Sequence, residues 1–266
     1  MCYRYEKLTF PDPAFNSIST SYLITMDGSP RREHYMNQLL TFQPTRKTYV
    51  VHNKGFKHCR KQHVSKTFQD LWHANLDIFL AAADNHEPIL VLEDDVEFTH
   101  YFSQPHIERI ERVVRERNTA YSLGTHAFLA IPGIRHSRMI LSGCTHAIIY
   151  SQKSRQQLLS AASTLFSKFS HDILIPWHTP LLSYKHPLAV QKHVKTENRK
   201  TLMGSVDILH AIWNSPLLQG DKNPIVLYTF HHTCIRAGGI IPVSLTLIVL
   251  IVLTLRDKNI QHKSMQ

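Results

Sequence analysis

Two spacings of apolar residues alternate along this chain. Short runs rich in aliphatic, aromatic and β-branched residues occur at 21–26, 47–52, 89–92, 121–123 and 146–151, and each reads as a strand. Between them apolar residues recur near helical spacing: Tyr35, Met36, Leu39 and Leu40; Phe68, Leu71, Trp72, Leu76, Phe79 and Ala83 within 65–84; Ile107, Ile110, Val113 and Val114; and Leu158, Leu159, Ala162, Leu165 and Phe166 within 156–169. Such alternation predicts an α/β fold with a doubly wound, mainly parallel sheet flanked by helices. Residues 1–17, with Pro11 and Pro13, read as an irregular lead-in, and Ser29-Pro30 as the cap and first position of the first helix.

The run at 89–92 is aliphatic without alternation, as expected of a strand covered on both faces, and it ends in Glu93-Asp94-Asp95. Ligands of open α/β sheets bind beyond the carboxyl ends of strands. If the strand continued, Glu93 and Asp95 would share a face and Asp94 would point away. Two hard oxygen ligands suit Mg²⁺ or Mn²⁺, and the plainer reading is a polar loop that caps the next helix.

Composition narrows the partners. At 266 residues the chain can build one large domain. Thirty Lys and Arg against 20 Asp and Glu give a net charge of +10, with 19 histidines in addition, a surface that attracts anions. The cations are dispersed without interleaved aromatics, so nucleic acid is not an expected partner. Cys2, Cys59, Cys144 and Cys234 are far apart, which predicts reduced thiols and a cytosolic catalytic domain. Residues 237–255 carry no charge and are dominated by Ile, Val and Leu. As a helix they would reach about 28 Å, the hydrocarbon thickness of a bilayer. The expected organisation is therefore a lead-in over 1–17, a catalytic domain over 18–203, an extension over 204–236, a single C-terminal membrane span over 237–255 and a polar tail over 256–266.

Several segments together resemble glycosyltransferase family 25, the lipopolysaccharide and collagen galactosyltransferase-like group, especially its compact relatives in large DNA viruses. They are Tyr22-Leu23-Ile24-Thr25-Met26-Asp27-Gly28-Ser29-Pro30-Arg31-Arg32, Leu90-Val91-Leu92-Glu93-Asp94-Asp95-Val96, Ser122-Leu123-Gly124, the segment from Gly143 to Ser151, His171-Asp172, and Pro187-Leu188-Ala189-Val190-Gln191. Their order over about residues 20–200 carries more weight than any one of them. One departure is Lys66-Thr67-Phe68-Gln69-Asp70-Leu71, where the family has G-C-x-x-S-H, and it leaves the donor sugar open.

The resemblance implies a GT-A fold and transfer of a sugar from a nucleotide diphosphate, a UDP-sugar first, to a glycan, lipid or protein hydroxyl. It implies Asp95 and Asp94 at the metal, with Asp94 alternatively holding its loop, and Glu93 binding through water or the ribose. Asp27 and Gly28 would lie under the nucleotide, Arg31 and Arg32 would contact uracil or phosphate, and Asp172 would be the base that takes the acceptor's proton. Two other readings stay open: an inactive domain of this fold serving as a membrane-bound interaction module, and a basic protein binding nucleic acid or anionic membrane.

Overall fold

Alternate side chains of the aliphatic run end up in two different cores. Ile89 and Val91 pack with Tyr22, Ile24, Trp72, Ile78, Phe79 and Ile148 on one side. Leu90 and Leu92 pack with Leu23, Tyr35, Leu39, Ile107, Ile110, Val114 and Ile149 on the other. A strand whose every side chain is buried has no polar face to show, which is why this segment is continuously apolar.

The computed structural model describes residues 1–143, 145–162, 171–191, 224–226, 228–229 and 232–233. The elements are β1 (Tyr3–Thr9), β2 (Thr20–Met26), α1 (Arg32–Phe42), β3 (Lys47–Asn53), α2 (Thr67–Ala81), β4 (Ile89–Glu93), β5 (Val96–Phe98), α3 (Gln104–Arg117), β6 (Ala120–Ser122), β7 (His126–Ile131), β8 (His136–Gly143), β9 (Ala147–Tyr150), α4 (Gln152–Ser160), α5 (His171–His178), β10 (Leu181–Tyr184) and β11 (Ala189–Gln191). Helices α1 and α3 supply one core, and α2, α4 and α5 supply the other.

A nine-stranded sheet in the order β1-β3-β2-β4-β9-β6-β10-β8-β7 separates the two layers. Strands β2, β3, β4, β6 and β10 run the same way, so the central sheet is mixed α/β and mostly parallel in direction. Their carboxyl ends therefore line one edge. The reversed strand β9 lies between β4 and β6, and the β7–β8 hairpin closes the far side. An apolar strand reads the same in either direction, so the reversal of β9 left no mark in its composition. A separate pair, β5 with β11, crosses the carboxyl edge.

Three local expectations are corrected. Residues 3–9 are not irregular: they form edge strand β1, antiparallel to β3, with Tyr3 against the α2 core and Leu8 against the α1 core. The prolines follow that strand rather than break it. Ser29 does not cap α1, whose N-cap is Arg31; instead its hydroxyl accepts the Arg31 N–H at 3.3 Å and donates to Asp94. Cys2 and Cys59 are not free thiols. They form a disulfide with Cα atoms 5.6 Å apart across 57 residues of chain, a proximity that spacing alone does not reveal.

Of the 204–236 stretch, Tyr228 is fully buried and its hydroxyl donates to the Tyr184 carbonyl at 2.7 Å and lies 2.8 Å from Ser183 Oγ. The apolar run at 237–255 lies outside the described residues, as do Cys144 and Cys234. Among the described residues no helix is long and apolar enough to cross a membrane.

Candidate active site

Strand β4 stops at Glu93, and Asp94 and Asp95 form the turn that leads into β5. Alternation of side chains therefore ends one residue before the aspartates, and the expected pairing of Glu93 with Asp95 on one strand face does not hold. A different pairing replaces it. Arg31, at the start of α1, places Nη1 2.6 Å from Asp94 Oδ1 and 3.4 Å from Asp95 Oδ2. Both carboxylates are buried and Arg31 is mostly so.

Asp94 is held at both oxygens. Oδ2 accepts the Thr25 hydroxyl at 2.7 Å and the Ser29 hydroxyl at 2.9 Å, while Oδ1 takes Arg31. Thr25 sits on β2 and Ser29 in the turn after it, so Asp94 ties the end of β4 to the end of β2. This is the loop-holding role open to it from sequence, carried out by side-chain donors rather than backbone N–H groups.

Asp95 is held at one oxygen only. Oδ2 accepts Gln191 Nε2 at 3.0 Å, and Gln191 is in position because it pairs with Val96 in the β5–β11 ladder. Oδ1 is buried and has no hydrogen-bond partner among the described residues. Burial pushes the Asp95 carboxyl up to about 6, with Asp94 adding to the rise, while Gln191 and Arg31 pull the other way. A buried carboxylate oxygen without a donor is costly, and such groups concentrate at sites that take a ligand.

The other predicted residues lie at varying distances from this centre. Glu93 follows the same edge, its Oε1 accepting Thr145 Oγ1 at 3.4 Å. Asp27 follows β2 in the turn and is exposed to solvent, 3.6 Å from Arg4 Nη2. Gly28 turns the chain at φ +73°, a conformation that glycine adopts without steric cost. Arg32 is not part of the acidic site: its guanidinium reaches Glu6 on β1 at 3.3 Å. The two adjacent arginines thus serve different partners. Asp172 is the second residue of α5, but its side chain lies outside the described residues.

Sequence reasoning missed the donors around the acids. The sequence pattern marks Thr25 as strand, Ser29 as a helix cap and Gln191 only as the end of a motif. The usable signal was the P-x-x-x-Q run, since a glutamine closing a short apolar run at 188–190 has little reason to be there unless it meets a polar partner.

As a cation centre, the residues fit a hard divalent ion in part. Asp95 Oδ1 is a buried carboxylate oxygen without a partner among the described residues, but among those residues no three His, Cys, Asp or Glu side chains gather as a ligand set. One or two protein oxygens, completed by water and phosphate, is a pattern characteristic of Mg²⁺.

No family model matches this chain and no curated protein matches it. Among solved structures, A197 from STIV superposes with a TM-score of 0.45 at 12% identity, covering 68% of this chain and 87% of that one. Apo UDP-glucose pyrophosphorylase superposes with a TM-score of 0.34 at 12% identity, covering 62% of this chain and 72% of that one. At these values neither likeness bears on what this chain binds.

Proposed function

We propose that this chain is a glycosyltransferase of GT-A type that moves a sugar from a nucleotide diphosphate, a UDP-sugar first, to a hydroxyl of a glycan, lipid or protein. The observation that carries this reading is the buried Oδ1 of Asp95, without a partner among the described residues, beside Arg31 at the carboxyl edge of the sheet. In an open α/β sheet that edge is where nucleotides sit.

The residues divide the work. Departure of a nucleoside diphosphate concentrates negative charge on phosphate oxygens, and that charge must be met in the transition state. Arg31 uses Nη1 on the two aspartates. Its other guanidinium N–H groups make no hydrogen bond among the described residues and are free to take phosphate in a planar fork. Asp95, helped by Glu93, would hold Mn²⁺ or Mg²⁺, which when bound supplies further neutralisation of the diphosphate. Asp94 fixes the turn that presents Asp95. Gly28 lets the backbone pass close beneath a nucleotide, and Asp172 is the candidate to accept the acceptor's proton.

Arg31 bridging both carboxylates also supports a second reading, in which its guanidinium takes the cation's part and transfer needs no metal. Calorimetric titration of UDP with and without Mn²⁺, beside hydrolysis of a panel of UDP-sugars, separates the two. The leading reading expects Mn²⁺ to tighten UDP binding at least tenfold and to be required for turnover. Equal binding and turnover without the ion favours the second. No binding of UDP under either condition would sink the transferase reading altogether.

A further inference from the structure

A second group of ionisable side chains lies on the same edge of the sheet, at the end of β10. Three strand spacings separate β10 from β4, about 14 Å, and the chemistry above does not use this group. Tyr184 is fully buried, and its hydroxyl lies 3.1 Å from His106 Nδ1 and 3.3 Å from Arg109 Nη1, both on α3. A guanidinium can only donate, so the phenol accepts from Arg109 and gives its own O–H to His106 Nδ1. The neutral imidazole then carries its proton on Nε2. Lys185 and His186 follow at once in the chain, and His186 stacks on Tyr101 with centroids 4.5 Å apart and planes 13° apart. The His106 and His186 rings are 5.6 Å apart.

Two features distinguish this cluster from an ordinary solvated basic face. Arg109 and His106 are half-buried and anchored on a buried hydroxyl, whereas Arg112 and Arg115 of the same helix are exposed. In addition, Arg109 and Lys185 make no ion pair with a carboxylate among the described residues. Burial, then the charges of Arg109 and Lys185, hold the His106 imidazole below its ordinary pKa. Both cations act on the same imidazole, and like charges gathered in this way repel unless an anion joins them.

We propose that His106, Arg109 and Lys185 bind the acidic group of a carbohydrate, a carboxylate or a phosphate, whose ring packs against the edge of the Tyr101–His186 stack, in which Tyr101 also meets His100 with ring centroids 3.9 Å apart. Tyr184 is a positioning residue, sealed beneath the site. Assigning this sugar to the acceptor rests on the transferase reading; the binding itself does not.

The full chain is titrated by calorimetry or NMR with glucose, glucuronate, glucose 6-phosphate and inorganic phosphate, and separately with UDP and Mn²⁺. Glucuronate and glucose 6-phosphate are expected to bind at least tenfold more tightly than glucose. Arg109→Gln with Lys185→Gln is expected to weaken both at least tenfold while leaving UDP binding and the thermal midpoint unchanged. If that pair lowers the midpoint, each single variant is expected to show a smaller loss in a folded protein. Tyr101→Ala should weaken the acidic sugars and spare inorganic phosphate. Equal affinity for glucose and glucuronate overturns the proposal, as does undiminished binding by the double variant. Inorganic phosphate binding as tightly as glucose 6-phosphate overturns the carbohydrate assignment. If UDP fails to bind while acidic sugars do, the site stands and the transferase reading falls.

Discussion

At the scale of single residues, Asp95 opposes stability and serves the site. Its carboxyl titrates at about 6 because burial disfavours the charge, so the folded chain holds the proton more tightly than the unfolded chain does. Stability linked to Asp95 is therefore complete below about pH 4 and lost as pH rises through 6, on the order of 2–3 kcal/mol. Asp95→Asn removes that cost. The variant is expected to melt several degrees above the wild type at pH 7.5 and close to it at pH 3.5, while losing Mn²⁺-dependent binding of UDP. Thermal melts of both proteins across that range check the sign: a variant that is less stable at pH 7.5 would mean that the ionised carboxylate is better paired than its neighbours suggest. Gain of stability with loss of binding is the usual signature of a functional group.

At the scale of elements, the site depends on how closely the loop after β6 approaches β11. Leu188 and Ala189 both donate their N–H groups to Leu123 O, at 2.7 and 3.3 Å. A Cβ on Gly124 would stand 1.7 Å from the Ala189 carbonyl oxygen, and a backbone atom cannot move aside as a side-chain tip can. Gly124→Ala is expected to push β11 outward, draw Gln191 away from Asp95 and cost about 1–3 kcal/mol. The thermal midpoint and the UDP titration should both fall. Gly28→Ala is the comparison for stability alone: a Cβ there meets nothing within 4 Å, and only the positive φ opposes it, at about 1 kcal/mol. Nucleotide binding that survives Gly124→Ala intact would show that Gln191 does not set the position of Asp95.

At the scale of the whole molecule, the disulfide closes the chain from β1 to the loop that follows β3. The same loop is held from within by Lys61, whose ammonium meets Asp70 Oδ1 and Asn53 Oδ1 and lies 4.6 Å from the Tyr3 ring centroid. A loop of this length loses about 4 kcal/mol of unfolded-state freedom when cross-linked. Dithiothreitol and the Cys2→Ser variant are each expected to lower the thermal midpoint by similar amounts, with the acidic site on β4 and α1 unaffected. A midpoint that ignores both treatments would mean that the Lys61 cluster alone secures the segment. Disulfides of this kind persist where the surroundings are oxidising, a condition that the wide spacing of the cysteines did not suggest.

The sequence by itself determined the strands and helices that bury continuous or periodic apolar faces: β2, β3, β4, β9, α2 and α3 all carry their burial pattern in the identity of their residues. It also determined that carboxylates end a central strand. Tertiary structure decided the rest. The direction of β9 and the assignment of residues 3–9 to the sheet edge depend on which strands meet, and apolar side chains do not encode a partner. Arg31 and Arg32 are neighbours of one type, yet one reaches Asp94 and Asp95 while the other reaches Glu6, because the N-cap and the first residue of a helix point to different sides. Thr25, Ser29 and Gln191 come from three segments and gather on two aspartates. Such a gathering is set by strand register and by a glycine's clearance, both of which exist only once the chain has folded.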